Sequence, residues 1–297
     1  MRIALAGGSG FVGAALRRHW ASAGDSVVRL VRRPARGSHE AEWDPETGRI
    51  DLAPLVGCEA LVNLCGENIA AGRWSAERRA RIRASRVSTT ELLSGTILGG
   101  SWRPRVWVNA SAVGYYGDGG ERVLGESAQP GTGFLASVCG EWEAAAMRAQ
   151  AAGVRVVRLR LGVVLDPAGG ALAKLLPLFR AGLGGPVGGG RAWMSWIALD
   201  ELCRVVDFAL RDGRVGGAVN AVSHEPVRNA AFAGALGRAL RRPAVLPVPG
   251  WAVRVLLGQM GVETLLSSQR AVPGVLEENG YGFLPGGLAG AFRRMLG

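Results

Sequence analysis

The 297-residue sequence predicts an α/β protein, a doubly wound parallel sheet with a smaller C-terminal lobe. Three observations predict it. Short β-branched runs alternate with helical patterns through the first two thirds of the chain. The chain opens on an apolar strand that runs straight into Gly7-x-x-Gly10-x-x-Gly13 and a helical pattern. Beyond Leu165 the texture changes to glycine-rich turns and separate helices.

Each element follows from local chemistry. Residues 2–6 are apolar and read as the first strand, followed by a helix over 11–23 that Gly24 closes. Residues 26–31 are β-branched and end at Arg32-Arg33-Pro34, where proline cannot continue a ladder. A hairpin or loop is expected over 42–54, then a strand over 60–64 and a long helix over 75–98. A strand over 105–110, a helix over 133–152 and a strand over 155–161 complete the alternation. Further on, the pattern predicts a helix over 171–181, a glycine-rich stretch over 182–190 and a helix over 197–211. A short apolar strand over 217–222 is expected to return to the first sheet. A helix over 229–240 and a Pro-punctuated edge strand over 243–249 follow. The tail, 251–296, reads as mostly helical with breaks at Pro273 and Gly280. This divides the chain into a nucleotide-binding domain over 1–165 and a smaller substrate-side lobe over 166–297.

The glycine turn has the context of a Rossmann-like pyrophosphate seat: strand before, helix after. Gly7 allows the tight turn, Gly10 lets the backbone approach phosphate, and Gly13 lets helix and strand pack closely. Ser9, Phe11 and Val12 complete the seat. The end of the second strand selects the cofactor. An acidic residue there would favour NAD; here Arg32 and Arg33 stand with no acidic residue until Glu40. Guanidinium forks match phosphate oxygens, so NADP(H) is expected. The run Asn63-Leu64-Cys65-Gly66-Glu67-Asn68 follows a strand, which places Leu64, Cys65, Gly66 and Glu67 at the ligand crevice. Arg86, on the following helix, is expected to reach a phosphate.

Composition excludes other classes. The net charge is +11, yet the arginines are scattered and the one dense set (Arg78, Arg79, Arg81, Arg83, Arg86) falls at helical spacing. No helix-turn-helix or aromatic platform accompanies them, so no nucleic-acid partner is expected. No apolar run reaches the roughly 18 residues that span a bilayer, so no membrane partner is expected. A strand at the very start, without a leader pattern, points to the cytoplasm. Cys58, Cys65, Cys139 and Cys203 lack metal or disulfide spacing and read as buried apolar residues; no metal is expected.

The glycine turn, the Asn-Leu-Cys-Gly-Glu-Asn run, Arg73-Trp74, Ser85-Arg86, Gly114-Tyr115-Tyr116-Gly117, Trp142-Glu143 and Leu183-Gly184-Gly185-Pro186 together resemble one group. It is the atypical short-chain dehydrogenase/reductase group of "epimerase family" proteins, related to the extended nucleotide-sugar epimerases. The run Leu266-Ser267-Ser268-Gln269-Arg270 with Pro273 resembles that group's C-terminal lobe. The resemblance covers essentially the full length and implies a Rossmann-like fold that binds NADP(H).

The departures from the wider superfamily bear on chemistry. Lys174 is the one lysine, and no tyrosine stands four residues before it, so the usual Tyr-x-x-x-Lys pair is absent. Anchored on Tyr116-Gly117, the catalytic serine position holds Ala112, with Ser111 beside it. Anchored on Glu143, the tyrosine position holds Leu135 and the lysine position Cys139. Met194-Ser195-Trp196 stands where sugar epimerases carry a phosphate-binding arginine, which disfavours a nucleotide-sugar substrate. The remaining catalytic candidates are Tyr115, Tyr116 and Ser111, with Glu67 nearby and Trp196 as a wall. Two functions fit: an NADP(H)-dependent oxidoreductase or epimerase-like enzyme on an unidentified small molecule, or a non-catalytic NADP(H)-binding sensor.

Overall fold

Ile3 and Leu5 point to one side of β1 (Arg2–Ala6) and Ala4 and Ala6 to the other, and that alternation places the strand between two cores. In the computed structural model, which describes residues 1–297, β1 lies inside an eight-stranded sheet. The sheet comprises β1, β2 (Ser26–Val31), β3 (Glu40–Asp44), β4 (Arg49–Ile50), β5 (Ala60–Asn63), β6 (Val106–Ala112), β8 (Arg155–Leu161) and β12 (Gly217–Ala221). Their spatial order is β12-β8-β6-β5-β1-β2-β3-β4. All pairings are parallel except β3 with β4. The chain winds outward from β1 in one direction through β2 and β3, and in the other from β5. The switch point between β1 and β5 opens a crevice at their C-terminal ends.

Helices cover both faces. On one side α1 (Phe11–Ser22) contributes Leu16 and Trp20 to the core beneath Ile3, Leu5, Val62 and Val108. On the other, α2 (Ala76–Leu98) brings Leu93 and Ile97 to Ala4, Leu61 and Trp107. Helix α3 (Phe134–Met147) packs beside α2 and ends in a 3-10 turn, Arg148–Ala152. The remaining elements are α4 (Gly170–Arg180), α5 (Leu199–Arg211), α6 (Asn229–Leu240), α7 (Gly250–Gly261), α8 (Gly274–Glu278) and α9 (Gly287–Leu296). Three two-stranded pairs tie the second half together. They are β7 (Val123–Leu124) with β14 (Arg270–Ala271), β9 (Val163–Asp166) with β11 (Trp196–Ala198), and β10 (Trp193–Met194) with β13 (Val227–Arg228).

Several elements differ from the sequence reading, each for a physical reason. Of the hairpin or loop expected over 42–54, the structure forms the hairpin, β3 with β4, but its first strand starts earlier, at Glu40, and joins the sheet because Ala41 and Trp43 bury while Glu42 and Asp44 face outward. Trp196–Ala198 are a strand rather than the start of the following helix, since they pair in parallel with β9. Segment 243–249 is not a strand: Pro243, Pro247 and Pro249 lack donors, and only an isolated Val187–Val248 bridge forms. Helix α5, within the stretch 166–297, packs on α1 and supplies Leu202, Val205 and Val206 to the sheet's own core. Leu276 of α8 joins the same core. All four cysteines are free and buried. No helix is long and apolar enough to cross a membrane.

Candidate functional site

The crevice at the switch point has a volume of about 590 Å³, within the range of small-molecule and cofactor sites. Gly7, Ser9 and Gly10 form its floor, Arg32 and Arg33 one end, and Leu64, Cys65, Gly66 and Glu67 the opposite wall. The three turn glycines have separable roles. Gly7 has φ +81°, and a Cβ there would lie 2.9 Å from the carbonyl carbon of Leu64. A Cβ on Gly13 would lie 2.4 Å from the Gly7 carbonyl oxygen, so Gly13 serves helix–strand contact. A Cβ on Gly10 meets only that same oxygen, at 3.4 Å; the rest of its surroundings are open crevice. Helix α1 begins at Phe11 without a side-chain cap, which leaves the N–H groups of Phe11, Val12 and Gly13 to an anion. These residues fit the pyrophosphate of a dinucleotide. The Phe11 ring lies over Gly169 and Gly170, clear of the crevice.

The wall after β5 is held from below. Asn63 is fully buried; its amide donates to Thr90 and Asn109 at 3.0 and 2.8 Å, and its oxygen accepts from the Cys65 N–H at 3.1 Å. The Glu67 N–H donates to Ser85 Oγ at 2.9 Å, while its carboxylate faces Arg78 and Arg81 at 3.7 and 3.5 Å. Burial pushes the Cys65 thiol up to about 12, so it acts as an apolar wall. Arg86 does not line the crevice. Its guanidinium packs against Gly66, stacks over Trp142 at 5.3 Å and donates to the Ile82 carbonyl, with burial lowering its pKa. It backs the wall, where α2 holds it behind the loop, whereas the sequence reading places it toward a phosphate. Trp43, Arg29 and Ser85 also line the crevice and were not foreseen as ligand-facing. The alternation of Ala41 and Trp43 with acidic residues was the available signal for Trp43.

The two arginines after β2 are not equivalent. Arg33 is clasped by Glu40 through bonds of 2.8 and 2.7 Å. Glu40 is buried at the start of β3, also accepts from Arg29 and from the Arg36 N–H, and the Arg33 hydrogen bonds hold its carboxyl down to about 2. Arg32 is exposed at the crevice mouth and bonds to nothing within the chain. Arg32 is therefore the unpaired guanidinium of the two.

Past the end of β6 lies a buried polar network. Arg160 of β8 is 2% exposed and Glu143 of α3 is 3% exposed; they pair bidentately at 2.8 and 2.9 Å. Burial opposes the charge on Arg160, but bonding to Glu143 outweighs it and raises its pKa. Ser111 donates to Glu143 at 2.7 Å. The Tyr116 hydroxyl accepts from Arg160 at 2.9 Å and donates to Asn220 at 2.8 Å, and burial pushes its pKa up. Both candidate hydroxyls, Ser111 and Tyr116, are thus buried and spent on structure. Tyr115 differs: its ring is half-buried, the Arg160 guanidinium stacks 3.6 Å from its centroid, and its hydroxyl makes no hydrogen bond within the chain. Leu135 and Cys139 pack beneath Gly114, and burial pushes the Cys139 thiol up to about 11. Trp196 is buried in the lobe core, its indole N–H on the Glu225 carbonyl, and lies outside the switch-point crevice; it lines only a small separate cleft with Glu201, His224 and Phe283.

A protein-family comparison matches residues 3–221 to the NAD dependent epimerase/dehydratase family. The chain belongs to that family. Residues 248–295 match a second model, a domain of unknown function (DUF1731). An epimerase family protein from Mycobacterium bovis is 45% identical over 281 residues, covering 95% of this chain and 93% of the relative. The crystal structure of human epimerase family protein SDR39U1 with NADPH superposes with a TM-score of 0.91 at 32% identity, covering 100% of this chain and 99% of that one. A nucleoside-diphosphate sugar epimerase from Corynebacterium glutamicum superposes at 0.81 with 34% identity, covering all of this chain and 58% of that one. The fold and the family resemblance read from the glycine turn and the downstream motifs agree with these matches.

Proposed function

We propose that this member of the family binds NADP(H) in preference to NAD(H) and acts as an oxidoreductase or epimerase-like enzyme on a small molecule. One observation carries the cofactor choice. Arg32 lies free at the crevice mouth, while Glu40, the carboxylate that follows it in the chain, is consumed by Arg33, Arg29 and the Arg36 N–H. The human relative whose solved structure includes NADPH supports the same choice. The first turn of α1 would hold the pyrophosphate, Arg32 the 2′-phosphate, and the Leu64–Glu67 wall the remainder. Bound there, the cofactor supplies or accepts hydride.

The proton needs a different group. Tyr115 carries the free phenol of the pair, and Arg160 stacked on its ring replaces the missing lysine as the nearby cation. Calorimetric titration with NADPH and NADH tests the cofactor assignment; equal affinities, or tighter NADH, reject it. A screen of carbonyl and alcohol substrates followed by NADPH absorbance tests turnover. On any substrate found, Tyr115→Phe should lower the rate and leave NADPH affinity intact.

A second reading rests on Leu135 and Cys139, which give the usual pair's positions no proton donor and no cation. Under that reading the protein senses cofactor state without turnover. Tight NADPH binding with no activity across the screen favours it.

A further inference from the structure

The second half of the chain carries an apolar surface that the crevice does not use. On α7, Trp251, Val255 and Leu256 are 68%, 63% and 68% exposed. Next to them Val245 and Leu246 stand out from segment 243–249, and Leu183 from the glycine-rich loop. These pieces adjoin. Leu246 N–H donates to Gly184 O at 3.1 Å, Val248 N–H donates to Pro186 O at 2.8 Å, and the segment runs directly into α7. Single exposed apolar residues are ordinary; an adjoining set marks an interaction surface.

The stretches that build it carry charges of one sign. No Asp or Glu occurs between Asp166 and Asp200, nor between Glu225 and Glu263. Those two stretches build α4, the glycine-rich loop, α6, segment 243–249 and α7. Arg180, Arg238, Arg241, Arg242 and Arg254 lie on them, and no carboxylate pairs with any. The nearest acidic residue past α7, Glu263, is turned away to the N-terminus of α3, accepting from Phe134 and Leu135 at 3.0 and 2.8 Å. A second copy docked through the same face would set arginine against arginine with nothing between them. A protein adding a strand would find Pro243, Pro247 and Pro249 without donors.

We propose that this face docks on an anionic phospholipid bilayer. Trp251, Val255 and Leu256 would enter the headgroup–acyl boundary, and the arginines would meet the headgroups. The absence of a spanning helix does not bear on this, since surface docking needs none. The docked face adjoins the loop beyond Glu67: Arg73 donates to Val255 O at 2.9 Å and Lys174 to Ala70 O at 3.2 Å. Docking therefore sets the wall of the crevice beside the bilayer.

The test is co-sedimentation of the full chain with vesicles of phosphatidylcholine alone and with about one-third phosphatidylglycerol. Binding should require the anionic lipid and weaken with added salt. The combined variant Trp251→Ser, Val255→Ser, Leu256→Ser should lower vesicle affinity at least about tenfold. Arg241→Glu with Arg254→Glu should do the same. Melting temperature and NADPH affinity should stay unchanged in both, which separates this result from the cofactor assignment. No sedimentation with anionic vesicles overturns the proposal, as does binding that neither variant weakens. So does a dimer, seen by light scattering, that the serine variant splits.

Discussion

Arg32 and Arg33 are neighbours in sequence and differ in what holds them. Both were legible as cations at the end of β2, but that Glu40 takes one of them was not. That outcome depends on β3 pairing with β2 in the register Arg29 to Glu40, a long-range fact no local pattern states. The consequence is asymmetric. Arg32→Ala should reduce the preference for NADPH over NADH about tenfold, or about 1.4 kcal/mol, because one exposed charge-assisted contact is lost. Paired titrations of wild type and variant read this directly. Arg33→Ala should act through stability instead. Glu40 has a depressed carboxyl value, so its contribution is present above about 4.5 and is lost as pH falls through about 2. Without Arg33 that value moves back toward the ordinary one. Acid unfolding followed by circular dichroism should then begin at a higher pH in the variant. An unchanged acid midpoint would mean that Arg29 and the Arg36 N–H hold Glu40 alone.

At the scale of elements, what was legible was whatever local chemistry fixes. The strand–turn–helix at residues 2–22 was readable because apolar period-two residues and three spaced glycines leave one geometry. The long α2 was readable from its helical pattern and charge spacing; in the structure Ser75 stands just before it as its cap, accepting from the Arg78 N–H at 3.1 Å. Strand β3 was legible only as part of a hairpin or loop, because three of its five residues are acidic; its place in the sheet follows from burial of Ala41 and Trp43 and from pairing with β2. The network of Ser111, Tyr116, Glu143 and Arg160 was hidden for a related reason. Its members come from β6, the turn after it, α3 and β8, and nothing in their spacing brings them together. The turn glycines give an element-level prediction with two different outcomes. Gly10→Val should abolish NADPH binding while leaving the melting temperature near wild type, since the new side chain enters only the crevice. Gly13→Val should lower the melting temperature strongly, because its Cβ would lie 2.4 Å from a backbone oxygen that cannot yield. If Gly10→Val binds as wild type does, the turn is not the seat.

For the molecule as a whole, the second half of the chain is bound into the first rather than appended to it. Leu276 sits in the sheet's main core. Glu126 accepts from the N–H groups of Asn220 and Val275 at 3.0 and 3.2 Å, and Asn220 donates to Val272 O at 2.9 Å. Glu201 of α5 accepts from Tyr281 and from the Leu284 N–H at 2.5 and 2.8 Å. Glu263 caps α3, the helix that also carries Glu143. Cutting the chain after residue 247 would remove Leu276 from the core, a loss of about 2–5 kcal/mol for one such side chain. It would also strand the buried carboxylate Glu201 and leave Glu126 with one fewer donor, at about 1–3 kcal/mol for each unpaired group. Against a total stability of about 5–15 kcal/mol, those losses consume most of what holds the fold. The full chain should therefore melt in one calorimetric transition. Saturating NADPH should raise that transition's midpoint by mass action. The 1–247 fragment should show no cooperative transition and no NADPH binding, even though every crevice residue remains in it. A fragment that melts cooperatively and binds NADPH would show instead that the sheet stands alone and that these contacts only orient the C-terminal segment.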